Sequence, residues 1–281
     1  MDDVDDVLIR PLSDIVTLRR LEELQQRIWA GPERDVVPAH QLLAAAAAGG
    51  IVLGAFAPGG DLVGFCYGFL GQRQGRPLFY SHMAGVIEEW RGRDVGFRLK
   101  QAQRQEALAR GLDWMVWTFD PLQSTNAYFN LHRLGAEARR YHVNYYGEMP
   151  DALNRGVDSD RLEVDWLLRS PRVEGLMHAQ VRGKRQAEPS PPTEAAVALA
   201  GSPGPLPRPA DPVLDLDAPE VRVGIPPAFT PLRTADLGLA REWRATSREV
   251  FRAYFERGYA AVDFVRTPAL GYYVLRPSRA D

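Results

Sequence analysis

The chain has 281 residues, of which 45% are hydrophobic and 25% charged, and these proportions are typical of a globular protein with one large or two smaller domains. A formal net charge of −2 provides no general attraction to nucleic acid or to an anionic membrane, and no apolar run approaches the ~20 residues of a membrane helix. Because the N-terminus, MDDVDDVLIR, is acidic where a signal peptide is basic, we expect a cytoplasmic protein with neither nucleic acid nor a membrane as partner.

The residues that commonly bind metals or carry catalysis exclude several classes of enzyme. Cys66 is the single cysteine, which excludes an internal disulfide bond and a cysteine-based metal cluster. The five histidines show no His-Glu-x-x-His spacing, and the chain contains neither a Gly-x-Ser-x-Gly motif nor a Walker-type loop. We therefore expect no metal site.

Apolar residues at helical or alternating spacing predict the elements of the N-terminal region. A strand is expected at 7–10, followed by helices at 15–28 and 38–48. Strands at 51–57 and 62–70 flank Pro58-Gly59-Gly60-Asp61, a sequence typical of a hairpin turn. Three strands and two helices thus precede residue 80.

The stretch from Tyr80 to Gly135 is the most informative part of the chain. It predicts a strand, a turn, a helix at 97–110, a strand at 114–119 and a helix that contains Asn126. The turn is formed by Arg91, Gly92, Arg93, Asp94, Val95 and Gly96. A short turn that leads from a strand directly into a helix exposes backbone N–H groups, and the helix dipole favours negative charge there. The turn is therefore a candidate phosphate site.

This stretch resembles the GCN5-related N-acetyltransferase (GNAT) superfamily, whose signature after its fourth strand is Gln/Arg-x-x-Gly-x-Gly/Ala. Arg91 matches the first position and Gly96 the last, while Asp94 replaces the middle glycine. The elements that follow have the family's order and spacing as far as Leu134-Gly135, and the resemblance covers roughly the first 170 residues. It implies an α/β fold with a mixed, mainly antiparallel sheet flanked by helices.

The resemblance also implies a bound acyl-CoA. The backbone of Ala84, Gly85 and Val86 would contact its pantetheine arm between the fourth and fifth strands, turn 91–96 would hold its pyrophosphate, and Asn126 would bond to the arm. An ordinary strand-to-helix turn with solvated arginines is the alternative. Since a carboxylate repels a diphosphate, we expect Asp94 to act as the N-cap of the following helix, and Asn126 is itself a credible N-cap.

The family often places a general base on the fourth strand, where His82 lies, and an imidazole with a pKa of ~6.5 suits that task. A structural, hydrogen-bonded histidine is the alternative. The tyrosine that serves the family as general acid is replaced by Leu131, so Tyr128 or His132 on the same predicted helix could substitute. We expect Cys66 to be a buried packing residue, which favours direct transfer in a ternary complex.

The C-terminal half predicts strands at 136–146 and 161–168 and then changes in composition. Eight of the 22 prolines lie between Pro189 and Pro212, so we expect an extended linker over 171–215. Beyond it, a strand at 221–225, a helix at 236–257 and strands at 262–265 and 272–275 form an extension, 216–281. Because this unit is small for independent stability, we expect it to pack on the N-terminal sheet or on a second copy of the chain, as a homodimer.

Several arginines and one tyrosine are candidates for substrate contact. Four arginines recur at helical spacing in the C-terminal helix, at positions 241, 244, 248 and 252. Such a stripe is usually a solvated, salt-bridged face, and recognition of a carboxylate by the planar guanidinium is the alternative. Tyr146 and Arg161, near the open end of the predicted sheet, are similar candidates.

The resemblance thus implies a transferase that moves an acetyl or succinyl group from acetyl-CoA, succinyl-CoA or another acyl-CoA to a primary amine of a small molecule. The stretch from Trp117 to Leu122, with Asn126, resembles a branch of the superfamily associated with N-acylation of amino acids, including succinylation. A CoA-binding or regulatory module without catalysis is the second hypothesis, because of Asp94 and Leu131.

Overall fold

The computed structural model describes residues 7–148, 155–181 and 196–278. These residues form two compact units. The first unit contains the chain up to Trp117 together with Leu167–Arg169, and the second contains the remaining described residues from Thr118 onward.

The first unit is a five-stranded sheet with helices. Its strands are β1 (Leu8–Pro11), β2 (Ile51–Phe56), β3 (Leu62–Arg73), β4 (Arg76–Val86) and β5 (Trp114–Phe119, of which the residues up to Trp117 belong to this unit). Its helices are α1 (Ile15–Trp29), α2 (Ala39–Ala47) and α3 (Val95–Ala109), with single 3-10 turns at Glu33–Asp35 and Glu88–Trp90. The strands follow the order β1-β2-β3-β4-β5, antiparallel except for the parallel pair β4–β5.

The helices of the first unit form where apolar spacing predicts them. Leu18, Leu21 and Leu24 of α1 are all buried, and the Asp14 carboxylate caps this helix by accepting a hydrogen bond of 2.8 Å from the Thr17 N–H. Such a cap satisfies one of the N–H groups that every helix leaves without an intrahelical acceptor. The prediction of a helix at 15–28 is confirmed.

The second unit is built around a six-stranded sheet. Its strands are β6 (Glu137–His142), β7 (Arg161–Leu167), β8 (Ala196–Leu199), β9 (Val221–Ile225), β10 (Tyr259–Arg266) and β11 (Gly271–Pro277). Its helices are α4 (Ser124–Ala127), which continues as a π-helical turn (Tyr128–Arg133), α5 (Pro171–Val181), α6 (Phe229–Ala235) and α7 (Leu237–Glu256). The strand order is β7-β6-β10-β11-β9-β8, and the edge pair β8–β9 is parallel.

The long helix α7 provides much of the core of the second unit. Trp243, Val250, Phe251 and Tyr254 are all fully buried, as the helical spacing predicts. Asp236 caps the helix, because its carboxylate accepts a hydrogen bond of 2.8 Å from the Leu239 N–H.

The structure differs from the sequence-based expectation in the C-terminal half. The segment 171–215, expected to be an extended linker, contains helix α5 and strand β8, whose Ala198 and Leu199 are buried; its part from 182 to 195 lies outside the described residues. The compact units do not divide at 170 or 215, because β10 pairs with β6 (Ala261 opposite Ala138) and so joins the C-terminal strands to the strands before 170 in one sheet.

Two smaller differences have local causes. Strand β6 ends at His142 rather than at 146, because Asn144 adopts a left-handed conformation (φ 45°) and its N–H is bonded to the Asp160 carboxylate at 2.9 Å. Strands β10 and β11 are longer than predicted, since they pair with each other from Tyr259 opposite Pro277 to Arg266 opposite Gly271.

The predicted fold class, a mixed and mainly antiparallel sheet flanked by helices, is confirmed within each unit. In the described part of the chain, no helix is both long enough and apolar enough to cross a membrane.

Candidate functional site

The turn between β4 and α3 lies in the first unit and is exposed at Arg91, Gly92, Arg93 and Asp94. Gly92 has a φ of 74° and Asp94 a φ of 56°, so the chain passes through two left-handed residues before the helix begins. The Arg98 N–H donates to the Asp94 carbonyl at 3.0 Å, which closes the first turn of α3. The N–H groups of Val95 and Gly96 therefore lie at the positive end of the helix dipole.

Asp94 occupies the N-cap position, but its side chain makes no capping hydrogen bond. The expected cap is therefore wrong. An N-cap residue normally has extended backbone angles that direct its oxygen toward the first turn, and the left-handed conformation of Asp94 does not do this.

The two arginines of the turn are held in different ways. The Arg91 Nε donates to the Val86 carbonyl at 3.1 Å and ties the turn to the end of β4. The Arg93 guanidinium lies 4.9 Å from the centre of the Trp90 ring. Both charges remain exposed, where they can attract an anion.

Strand β4 separates from β5 shortly before this turn. Among the described residues, their pairing consists of Phe79 with Met115 and Tyr80 with Val116, although β4 continues to Val86. The separation coincides with a bulge, because Ser81 and His82 together lie opposite the single residue Gly68 of β3. A bulge bends and twists its strand, which explains why the parallel pairing ends there.

Gly68 is required at the bulge. A Cβ atom at this position would lie 2.3 Å from the Phe79 ring and 2.4 Å from the Tyr80 carbonyl oxygen. Beyond it, β4 passes Ala84, Gly85 and Val86, the backbone predicted to contact the pantetheine arm.

Of the glycines in this region, Gly85 has a packing role of its own, since a Cβ there would lie 2.9 Å from Ile28 and 3.2 Å from Trp29. Gly96 does not. A Cβ on Gly96 would meet Val86 Cγ2 at 3.9 Å, an ordinary contact, and one on Gly92 would meet no heavy atom within 4 Å. The turn thus has open space at both glycines for a ligand to approach the backbone.

His82 lies on β4 within a group of aromatic rings. Its ring centre is 5.9 Å from those of Tyr67 and Phe69 and 6.3 Å from that of Tyr80. The side chain is still exposed on one side, and its partial burial lowers the pKa of His82 below its ordinary value, so the imidazole is mainly neutral at pH 7. A neutral imidazole can accept a proton, as a general base must.

A buried polar cluster that sequence reasoning missed lies beside the bulge. Lys100 of α3 is only 3% exposed, and its Nζ donates to the Ser81 Oγ at 2.9 Å and to the Gln103 Oε1 at 2.8 Å. Burial lowers the pKa of Lys100 to about 7. The signal in the sequence was the spacing of Lys100, three residues after Phe97 and seven before Ala107 on the buried side of the helix.

Cys66 is fully buried on β3, and burial raises the pKa of its thiol to about 12. Only the thiolate is an effective nucleophile, so this residue is suited to packing and not to carrying an acyl group.

Asn126 and Tyr128 belong to the second unit. Asn126 is exposed and lies inside α4, so the expectation that it caps the helix is wrong; Gln123 holds the N-cap position. Tyr128 begins the π-helical turn, with the Arg266 guanidinium 3.7 Å from the centre of its ring and the His132 ring centre at 4.8 Å. His132 is buried and bonded through Nδ1 to Asp263 at 3.0 Å.

Tyr146 and Arg161 are also in the second unit, and the structure brings them together. The Arg161 guanidinium lies 5.1 Å from the centre of the Tyr146 ring, and the Tyr146 hydroxyl is 3.3 Å from the Thr118 hydroxyl. Arg161 is mostly buried and donates to the Asp160 carbonyl at 2.9 Å, whereas Tyr146 is 45% exposed.

The arginine stripe of α7 is a set of intramolecular contacts. Arg244 is buried and paired with Asp120 at 2.8 Å, and Arg248 bonds to Asp160 at 2.7 Å and to Asp158 at 2.6 Å. The expectation of a solvated face is therefore wrong for Arg244. Arg244 is buried because it lies on the side of α7 that packs into the core of the second unit.

A cleft of about 800 Å³ lies in the first unit between α1, the β2–β3 turn and the segment that leads into turn 91–96. Its charged lining includes Arg20, Arg27, Glu23 and Glu89, with the Trp90 ring beside them. Both signs of charge are present, so the cleft suits a polar group better than a simple anion.

No family model matches the sequence, and the comparison with curated proteins gave no match. Several solved structures are similar to part of the chain. The NatC complex bound to Gag peptide and CoA has 16% identity and a TM-score of 0.45 over 58% of this chain and 98% of that chain.

An acetyltransferase of the GNAT family from Streptococcus pneumoniae has 14% identity and a TM-score of 0.46 over 57% and 97% of the two chains. Aminoglycoside 6′-acetyltransferase type Ii has 19% identity and a TM-score of 0.46 over 58% and 98%. Likeness at this level does not show what this chain does.

Proposed function

We propose that the first unit binds an acyl-CoA along β4 and at turn 91–96, and that the protein transfers the acyl group to a primary amine. The observation that carries the proposal is the separation of β4 from β5 beyond Tyr80, directly before the turn and helix. A strand that has lost its neighbour on one side offers backbone N–H and C=O groups to a ligand. The two amide groups of a pantetheine arm are suited to such an edge.

The turn supports the other end of the same ligand. The N–H groups at the start of α3 and the charges of Arg91 and Arg93 favour a diphosphate, and the open space at Gly92 and Gly96 permits its close approach. The carboxylate of Asp94 offsets part of the positive charge. Hydrogen bonds from the backbone N–H groups are then the main contribution to diphosphate affinity, and the charges of the two arginines add to it.

A bound acyl-CoA supplies an activated thioester to this site. His82 accepts the proton of the incoming ammonium, since its lowered pKa keeps the imidazole neutral. Backbone N–H groups of β4 beyond the bulge polarise the thioester carbonyl by hydrogen bonding. The acyl group is acetyl or succinyl and the acceptor is the amine of a small molecule such as an amino acid; both assignments extend the sequence resemblance.

The second candidate is a CoA-binding module without turnover. It is favoured by Leu131, which is fully buried and has no proton to donate to a departing thiolate. Release of free thiol from acetyl-CoA or succinyl-CoA with a panel of amino acids and small amines distinguishes the two candidates. Binding without thiol release supports the second.

The binding site itself is tested by Gly96→Val. The fold has room for the new side chain, whose Cβ meets only Val86 at 3.9 Å, but its methyl groups occupy the space over the first turn of α3. We expect the dissociation constant for CoA, measured by calorimetry, to rise tenfold or more, about 1.4 kcal/mol.

Gly175→Val is the matched control, because Gly175 is an exposed helical glycine in α5 with no heavy atom within 4 Å of its Cβ position. It should bind CoA as the wild type does. Unchanged CoA affinity in a folded Gly96→Val protein would remove the turn from the proposed site.

A further inference from the structure

The buried Lys100 lies at the point where β4 and β5 separate. The last paired residues are Tyr80 of β4 and Val116 of β5. The next residue on each strand contacts the same ammonium group: the Ser81 Oγ accepts a hydrogen bond from Lys100 Nζ at 2.9 Å, and the centre of the Trp117 ring lies 3.9 Å from it.

Lys100, Ser81 and Gln103 are hydrogen-bonded to one another. Ser81 Oγ donates to Gln103 Oε1 at 2.9 Å, and Lys100 Nζ donates to the same oxygen at 2.8 Å. The three side chains are each at most 5% exposed. Gln103 Nε2 is buried without a hydrogen-bond partner, so the amide is oriented for the lysine and the serine at the expense of its own nitrogen.

This arrangement is not the most stable way to fill the space. A buried ammonium loses its hydration, and an apolar side chain of the same length would pack there without that loss. The titratable group that faces Lys100 from β3 is Cys66, whose raised pKa of about 12 keeps it an uncharged thiol. The buried lysine therefore lowers the stability of the fold, while its hydrogen bonds order the side chains of Ser81 and Gln103.

We propose that Lys100 is a positioning residue, which fixes the bulge at Ser81 and His82 and so sets the line of the β4 backbone that receives the pantetheine arm. The part of this inference that concerns CoA rests on the proposed function. The part that concerns the order of the bulge does not, since it can be measured on the ligand-free protein.

The test uses Lys100→Met, which keeps the length and packing of the side chain and removes its hydrogen bonds. Amide hydrogen exchange of the ligand-free protein should become at least about fivefold faster at residues 81–84, because the bulge opens more often. The dissociation constant for CoA should rise at least about threefold. Thermal stability should rise at pH 7.5. A rise in stability together with faster exchange at the bulge separates a positioning role from a general loss of structure.

Two further variants complete the experiment. Ser81→Ala removes the other partner of the hydrogen bond and should also speed exchange at 82–84, which decides the matter if Lys100→Met does not fold. Gln105→Met, on the exposed side of the same helix, should leave exchange and CoA affinity as in the wild type.

Unchanged exchange at the bulge in both Lys100→Met and Ser81→Ala would overturn the inference. If instead the wild-type protein binds no CoA while exchange at the bulge responds as expected, the proposed function fails and the positioning role of Lys100 stands.

Discussion

Replacing Lys100 by methionine should stabilise the protein at neutral pH and leave its stability unchanged in strong base. The pKa of Lys100 falls from 10.5 to about 7 because the side chain is buried. The unfolded chain therefore binds a proton that the folded chain releases between these two pH values. Stability is lowest at and below pH 7, rises as the pH increases, and reaches its full value above 10.5.

The magnitude follows from the same two values. The interval from 10.5 to about 7 corresponds to about 5 kcal/mol, at about 1.36 kcal/mol for each tenfold change in proton affinity. We therefore expect Lys100→Met to gain about 4 kcal/mol at pH 7, where about half of the folded molecules still carry the proton.

The assay is urea unfolding of both proteins at pH values from 6.5 to 10.5, because the difference between them cancels every other titrating group. The difference should be about 4 kcal/mol at pH 7 and should approach zero near pH 10.5. Lys100 and Lys184 are the lysines of the chain, so NMR with lysine labelled at Cε gives two signals, which the variant assigns. A Lys100 signal that does not titrate below pH 9 would refute the reasoning.

Three further predictions concern other parts of the chain. His82→Ala should lower kcat for thiol release about 100-fold with CoA affinity unchanged, and the deficit should shrink toward pH 9 as free amine increases; a wild-type kcat throughout would return His82 to a structural role. Asp160→Asn should lower the free energy of unfolding by about 3 kcal/mol, because the buried carboxylate binds Arg248 at 2.7 Å; a loss under 1 kcal/mol would contradict this. A chain that ends at Leu168 keeps β7 beside β6 but lacks β10 on the other side, and it should melt at a clearly lower temperature or aggregate; an equally stable product would show that β6 needs no second neighbour.

Local sequence determined the elements of the first unit. The apolar spacing of α1 and the turn residues between β2 and β3 act within a few residues of each other, so their outcome depends little on the rest of the fold. The same holds for turn 91–96, where two glycines and the start of a helix identify a candidate anion site before any contact is known. Helix α7 was predicted nearly to the residue, at 236–257 against the observed Leu237–Glu256.

Contacts between distant residues decided the rest. Composition indicated a linker over 171–215, but Leu199 of β8 is buried against β9, and pairing with another strand overrides the weak local preference of a proline-rich segment. Asp94 was expected to cap α3, which depends on a backbone conformation that the sequence does not specify.

The candidate site also depends partly on local sequence and partly on contacts between distant residues. The family resemblance predicted that His82 and turn 91–96 belong to one site, and the two lie on one strand and the turn that follows it. The place where β4 leaves β5, the bulge opposite Gly68 and the burial of Lys100 beneath it depend on the registers of three strands and the packing of a helix. In the sequence, a lysine on a helix indicates a solvated charge. Only the tertiary structure removes water from the ammonium group of Lys100 and thereby lowers its pKa to about 7.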